Sequence, residues 1–311
     1  MMMMITASGE ILDVIPGLDK SAYLGYSISG CHVGIMVMPV LSTYLYTVGG
    51  FMLPSAVAGL VSLTPLFCLP RIARYIEEGE EKGILDRKDL DHEDEQELGV
   101  HESSDDLSFV GRYLIYYLPD LVVFLMNILF QLMVFTLPFR LKIFNNIPET
   151  TSTWMTAFAF FICFVSSLFV TKISDRTNMF AVMITGTFVF YGGCFLALGY
   201  TTVYLKVWGG ALLGMTLYGL AEPTFYTLCL TSKFYIYKTL GKTTNNMGET
   251  ASKTWKVGLT LGAIVGGLVA GHVTTRESEV WLFSLLSGAG AVCLAALSTV
   301  WLYLRINKVK Q

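Results

Sequence analysis

The sequence predicts an all-α protein, a polytopic bundle of membrane-crossing helices, and three observations carry that prediction. Only 14% of its 311 residues are charged and 53% are hydrophobic, with a mean hydropathy of +0.57. Soluble domains carry roughly 25% charged residues, which they need to cover their surface. Secondly, the apolar residues gather into eight long stretches, each near the ~20 residues that a helix needs to cross a bilayer core about 30 Å thick. Thirdly, the charge is segregated. Between Arg71 and Asp106 lie fourteen acidic and five basic residues, so most of the acid sits in one hydrophilic segment. The net charge of -3 and the apolar composition exclude a disordered chain, a collagen and a basic nucleic-acid binder. The runs are too long and too uniformly apolar for the alternating strands of a membrane barrel.

Residues 1–21 form an N-terminal segment in which no basic stretch precedes a short apolar run, so they do not read as a secretory signal. The first two spans, Ala22–Tyr46 and Gly50–Pro70, make up a two-helix block over 22–70. The acidic linker, 71–118, follows; its stretch Glu77–Glu97 reads as a solvated, self-repelling tether. Six spans fill 119–304: Pro119–Phe139, Trp154–Thr171, Phe180–Gly199, Val207–Leu230, Trp255–Val273 and Val280–Leu304. A short tail, 305–311, closes the chain. Trp154, Trp208, Trp255, Trp281 and Trp301 all fall near span ends and read as the aromatic belt of the membrane interfaces. The six cysteines lie inside apolar runs without metal-ligand spacing, and read as small core hydrophobes.

Eight spans place both termini on one side. Seventeen of the Lys and Arg residues fall on the face that holds the termini and the linker, Lys233 among them. Only Arg140, Lys142, Lys206 and Arg276 fall on the other. The positive-inside rule makes the first face cytoplasmic.

Small residues recur at four-residue spacing, which lets helix backbones approach closely in lipid. The pairs are Gly30 with Gly34 and Gly210 with Gly214, and Gly258, Gly262 and Gly266 form a ladder from which Gly267 and Gly271 are offset. Gly30-Cys31-His32-Val33-Gly34, followed by Pro39 and Leu45-Tyr46, resembles the antiporter motif of the fifth helix of the major facilitator superfamily. Val48-Gly49-Gly50-Phe51-Met52-Leu53-Pro54 is similar to the entry into its sixth helix, in wording nearest the vesicular amine and polyamine transporters. Ser174-Asp175-Arg176 resembles the superfamily's cytoplasmic Asp-Arg loop, and Leu261–Gly267 resembles the glycine run of its eleventh helix. The resemblance runs from about Pro16 to Arg305. It implies a major-facilitator-type bundle in which the last two helices of the N-terminal half precede all six of the C-terminal half. The first four helices of the family pattern are then not represented.

An ionisable side chain inside a span is costly and marks function by default. Glu222 is the outstanding case, within Val207–Leu230. Tyr218, Phe225 and Tyr226 share its helix face. A carboxylate among aromatic rings offers a protonated amine a countercharge and cation–π contact, and it can also carry a proton. Pro223 loosens the helix beside it. The alternative is a protonated, hydrogen-bonded core Glu beside a kink. Asn127 and Gln131, four apart, form a polar stripe that either lines a cavity or bridges helices. Asp120, just after Pro119, reads as a helix-start acid favoured by the dipole. His32 reads as a lone hydrogen-bonded histidine or as a titrating group. Asp175 and Arg176 read either as an ordinary N-cap with an arginine at the lipid headgroups or, by resemblance, as a brace of one gate state against the start of the first span.

By resemblance the chain exchanges protons for an organic cation, a monoamine or polyamine, across a vesicle or plasma membrane. Its partners are then a small solute, protons and the lipid bilayer. A second reading is an incomplete product without transport of its own, or one that needs a partner. No grouping in the sequence suits nucleophilic catalysis, phosphate binding or zinc, so neither an enzyme nor a cofactor or metal is expected.

Overall fold

The computed structural model describes residues 20–50, 52–61, 63, 70, 109–199, 208–239, 247–272 and 279–306. Every regular element among them is a helix. Seven are long: α1 (Lys20–Gly49), α2 (Phe109–Asn145), α3 (Glu149–Arg176), α4 (Met179–Leu198), α5 (Trp208–Thr239), α6 (Met247–His272) and α7 (Glu279–Ile306). The protein is an all-α, polytopic membrane bundle.

Six stretches are long and apolar enough to cross a bilayer: Ser29–Gly49, Leu114–Asn145, Thr150–Ser174, Met179–Leu198, Thr250–His272 and Trp281–Ile306. Two of the eight expected spans differ from these. Of Gly50–Pro70, the described residues form the short helix Met52–Val61, and most of the remainder lies outside them. Val207–Leu230 does become helix, but Glu222, Pro223 and its hydroxyl residues dilute its apolar character. Burial explains why that composition is tolerated. Every residue from Ala221 to Leu230 is buried, so the middle of α5 is covered by protein rather than lipid.

The chain divides into two compact units, one formed by Met1–Met36 with Ser104–Gln311 and the other by Val37–Ser103. In the smaller unit, α1 ends where Gly50 takes φ +63°, a left-handed conformation that favours glycine at a helix C-terminus. Its amide donates to the Tyr46 carbonyl at 2.9 Å. Tyr44, Val48, Met52 and Leu60 are exposed in this unit, an apolar surface that suits lipid.

In the larger unit α5 is the hub, packed along α4, α3 and α2, while α2 also runs beside α6 and α7. Glycines set these approaches. A Cβ built on Gly262 would lie 2.6 Å from the Phe124 carbonyl oxygen, and one on Gly258 would lie 2.9 Å from that of Asp120. One on Gly266 would lie 2.8 Å from the Gln131 Cβ. The ladder on α6 thus steps along α2 four residues at a time. Gly267 and Gly271 face no described atom within 4 Å. Gly193 and Gly214 do the same for α4 and α5, where a Cβ on Gly214 would lie 2.6 Å from the Gly193 carbonyl.

The pair Gly30 and Gly34 departs from expectation. Both are exposed, and nothing described lies within 4 Å of a Cβ on Gly34, so among the described residues Gly34 closes no helix contact. The face of α1 that packs in this unit carries Ser29 and His32 instead, both buried.

α2 begins at Phe109, well before the expected edge at Pro119, and holds Pro119 and Pro138 in its interior. Asp120 is therefore eleven residues into the helix and is not a helix-start acid. α3 and α4 join through a tight turn in which the Asn178 side chain caps α4, accepting from the amides of Phe180 at 2.9 Å and Ala181 at 3.3 Å. Arg176 is exposed at the end of α3. The side chains of Asp175 and Pro39 lie outside the described residues, though both positions are helical.

Candidate solute and proton site

Glu222 sits in the most buried part of α5, with 3% of its surface exposed. Two neighbouring helices reach it through local devices that the sequence encodes. On α3, Ser166 donates to the Gly219 carbonyl at 2.9 Å, and a Cβ on Gly219 would lie 2.6 Å from the Ala159 carbonyl. Cys163 lies between Ala159 and Ser166 on that face of α3, and Glu222 is one turn beyond Gly219 on α5. The close approach therefore brings the Cys163 thiol to the carboxylate. On α1, Ser29 and Ser167 share a hydrogen bond with their hydroxyl oxygens 2.5 Å apart. One turn further along α1, the His32 Nε2 lies 2.9 Å from Glu222 Oε2.

That contact has the distance of an ion pair but not the alignment of a hydrogen bond, since Oε2 has no hydrogen-bond partner. His32 Nδ1 and the Tyr218 hydroxyl are also buried without one. Unmet polar groups in a protein interior are destabilising by about 1–3 kcal/mol each. The donor atoms of His32, Cys163 and Glu222 all lie within 4.8 Å of one another.

Aromatic rings surround this stretch of α5. Tyr218, Phe225 and Tyr226 are all buried. The Phe190 ring of α4 packs on both Tyr218, at 5.0 Å between centroids, and Phe225, at 5.5 Å. Tyr226 meets Trp255 edge-on at 6.2 Å. Trp255 is consequently a buried wall residue and leaves the interfacial belt, whereas Trp154 and Trp281 are exposed as a belt requires.

Of the polar stripe, Asn127 bridges helices. Its amide donates to the Leu259 carbonyl of α6, and its Oδ1 accepts from the Tyr226 hydroxyl at 3.2 Å. Gln131 lies one turn on, half-buried against Gly266.

A second buried charged group lies nearer the end of α5. Lys233, counted from sequence as a loop charge, is fully buried, and its Nζ donates to both carboxylate oxygens of Asp120 at 2.8 and 2.7 Å. It also donates to Thr254 and stands 4.4 Å above the Tyr116 ring. This knot ties α2, α5 and α6 together. Arg140, placed by sequence in the loop at the far end of α2, is likewise buried, with its guanidinium 5.3 Å over the Phe144 ring.

Sequence spacing could not assemble these groups, because each cluster draws on three separate helices. The available signal was cost: His32 and Lys233 are ionisable groups in or beside apolar runs.

A family model described as Major Facilitator Superfamily matches residues 2–233, which are 232 of the 311 residues. The chain belongs to the major facilitator superfamily. It is an integral, multi-pass membrane protein of the major facilitator transporter type, and Glu222, His32, Cys163, Tyr218, Phe225 and Tyr226 all lie within the matched residues. The helices α6 and α7 lie beyond them and complete the packing against α2, α4 and α5. No curated protein matches the chain.

Proposed function

We propose that this superfamily member is a proton-coupled antiporter of an organic cation, with Glu222 as the shared binding group. The observation that carries the reading is a carboxylate, 3% exposed, set 2.9 Å from a histidine and beside Tyr218, Phe225 and Tyr226. A protonated amine brings one positive charge, which the carboxylate neutralises, and hydrocarbon surface, which the rings contact. With the cation absent, a proton takes its place. His32 supplies a second proton acceptor 2.9 Å from the carboxylate. Asn127 orients Tyr226 through its hydrogen bond, and Gln131, one turn on, adds a second polar group on that side. Alternating access around a midplane site then exposes Glu222 to one side at a time, and competition between proton and cation for one carboxylate gives exchange.

In the same reading the positive-inside asymmetry places both termini and the acidic linker in the cytoplasm. The fifth-helix and sixth-helix register of the first two spans, and the nearness to the vesicular amine branch, belong to this proposal too. Asp175 and Arg176 would brace one gate state, with Gly262 and Gly266 as the close-packed seam beside the moving helices.

Uptake of monoamines and polyamines into proteoliposomes under an imposed pH gradient tests it, comparing wild type with Glu222→Gln. The glutamine keeps the shape but holds neither charge nor proton. Uptake in the wild type that the substitution abolishes supports the reading, and uptake that it leaves unchanged sinks the Glu222 assignment.

A further inference from the structure

Cys163 is not needed by an amine. It is fully buried, it comes from a third helix, and its Sγ completes a compact group with the His32 imidazole and the Glu222 carboxylate, all donor atoms lying within 4.8 Å of one another. We propose that His32, Cys163 and Glu222 form a binding site, inside the bundle, for a single borderline-soft divalent transition-metal ion such as Zn2+.

Three features of the group carry this. The first is donor chemistry. Imidazole nitrogen, thiolate sulfur and carboxylate oxygen are the ligand types that bind zinc, whereas magnesium and calcium want oxygen alone. The second is charge. A divalent cation in a membrane interior needs two negative ligands, and a Cys163 thiolate with a Glu222 carboxylate supplies two, beside a neutral His32. Glu222 alone would balance a monovalent amine. The third is unmet bonding. Glu222 Oε2, which faces the His32 imidazole, is buried without a hydrogen-bond partner although the residue is only 3% exposed. A polar atom so placed is directed at a ligand or left at a loss.

The size also fits. Metal–ligand bonds of roughly 2.0–2.3 Å set tetrahedral donor atoms about 3.3–3.7 Å apart, so the observed spread closes with small side-chain rotations. On binding, Cys163 releases its thiol proton to water and coordinates as the thiolate. Three protein ligands leave one position of a tetrahedral set open, the arrangement of a zinc that exchanges a ligand. The inference uses the carboxylate of the proposed amine site, but it does not depend on which solute is carried.

Cobalt titration of the full chain, purified in detergent with any affinity tag removed, is the test. Co2+ is expected to bind one per chain with a thiolate-to-cobalt charge-transfer absorption that added Zn2+ abolishes. Cys163→Ser should remove the band, and His32→Ala should weaken Co2+ binding at least about tenfold. Cys293→Ser, altering a buried cysteine outside the group, should leave the band as it is. X-ray absorption on the wild-type cobalt complex needs no variant to fold, and should show one sulfur among nitrogen and oxygen neighbours. Absence of the band in the wild type, its persistence in Cys163→Ser, or a first shell without sulfur overturns the proposal. The two readings fail separately. Glu222-dependent amine uptake without cobalt binding refutes the metal site alone. Cobalt binding with uptake indifferent to Glu222→Gln refutes the amine assignment alone.

Discussion

Replacing Asp120 by Asn leaves the Lys233 ammonium buried with no countercharge, and the structure allows the consequence to be sized. The Nζ is held by both carboxylate oxygens at 2.8 and 2.7 Å, and the lysine has no exposed surface. At an effective dielectric of 20, two unit charges 2.7 Å apart attract by about 6 kcal/mol. Most of that offsets the removal of both ions from water, so the pair itself adds little to stability. Deleting one partner is another matter, because the desolvation of the survivor remains: losses of about 3–5 kcal/mol are typical. Thr254, the Ala251 carbonyl at 3.4 Å and the Tyr116 ring still solvate the ammonium, which puts the expected loss for Asp120→Asn near the lower end, about 3 kcal/mol. The double replacement Asp120→Leu with Lys233→Met removes both charges at similar volume, and should fall within about 1 kcal/mol of wild type or exceed it. Denaturant unfolding of the purified protein in mixed micelles, followed by circular dichroism, reads both quantities. A loss below about 1 kcal/mol for Asp120→Asn, or a double variant as unstable as the single, would refute the argument that desolvation dominates this knot.

Other substitutions test the packing and the polar wall. Gly262→Ala places a methyl 2.6 Å from the Phe124 carbonyl and should destabilise by about 1–3 kcal/mol less the ~1 kcal/mol gained in helix propensity, whereas Gly267→Ala, on open surface among the described residues, should keep only the gain. Equal unfolding midpoints for these two neighbours in the same micelle assay would contradict the seam. Tyr226→Phe removes the hydrogen bond to Asn127 Oδ1 and should lower stability by about 1 kcal/mol, while Asn127→Ala, which removes the donor to the Leu259 carbonyl as well and leaves the buried Tyr226 hydroxyl without its acceptor, should lower it further; the reverse ranking would show that Asn127 does not bridge these helices. Asn178→Ala removes the cap of α4 and should reduce stability by about 1 kcal/mol, with little change if serine is substituted instead, as thermal unfolding would show.

Much of the fold was legible because the membrane imposes simple rules on sequence. A helix must be about 20 apolar residues long and must satisfy its own backbone, so the runs that became α1, α2, α3, α4, α6 and α7 declare themselves by composition. The Gly258, Gly262 and Gly266 ladder was legible for a similar reason, since a four-residue period is what backbone approach along one helix face requires. The burial of Glu222 was less legible than its cost: an acid in an apolar run stands out in the sequence, and the structure places it 3% exposed inside α5.

The same reasoning misjudged groups whose meaning depends on a neighbouring helix. Asp120 looked like a helix-start acid because it follows a proline, yet α2 had begun eleven residues earlier, and Lys233 of α5 gives the acid its role. Gly30 and Gly34 have the spacing of a packing face, yet both are exposed among the described residues, because spacing fixes only which residues share a face and not which way that face turns. α1 packs by Ser29 and His32 instead. Trp255 shares its position near a span end with the belt tryptophans and differs only in being covered by Tyr226. Cys163 offered no pattern at all, because its partners are 131 positions upstream at His32 and 59 downstream at Glu222. By itself the sequence determined what each helix is, since length, apolarity and period are properties of one segment in lipid. Only the tertiary structure decided which buried polar groups meet, because hydrogen bonding, charge pairing and metal coordination act over about 3 Å, and that distance between helices is set by packing.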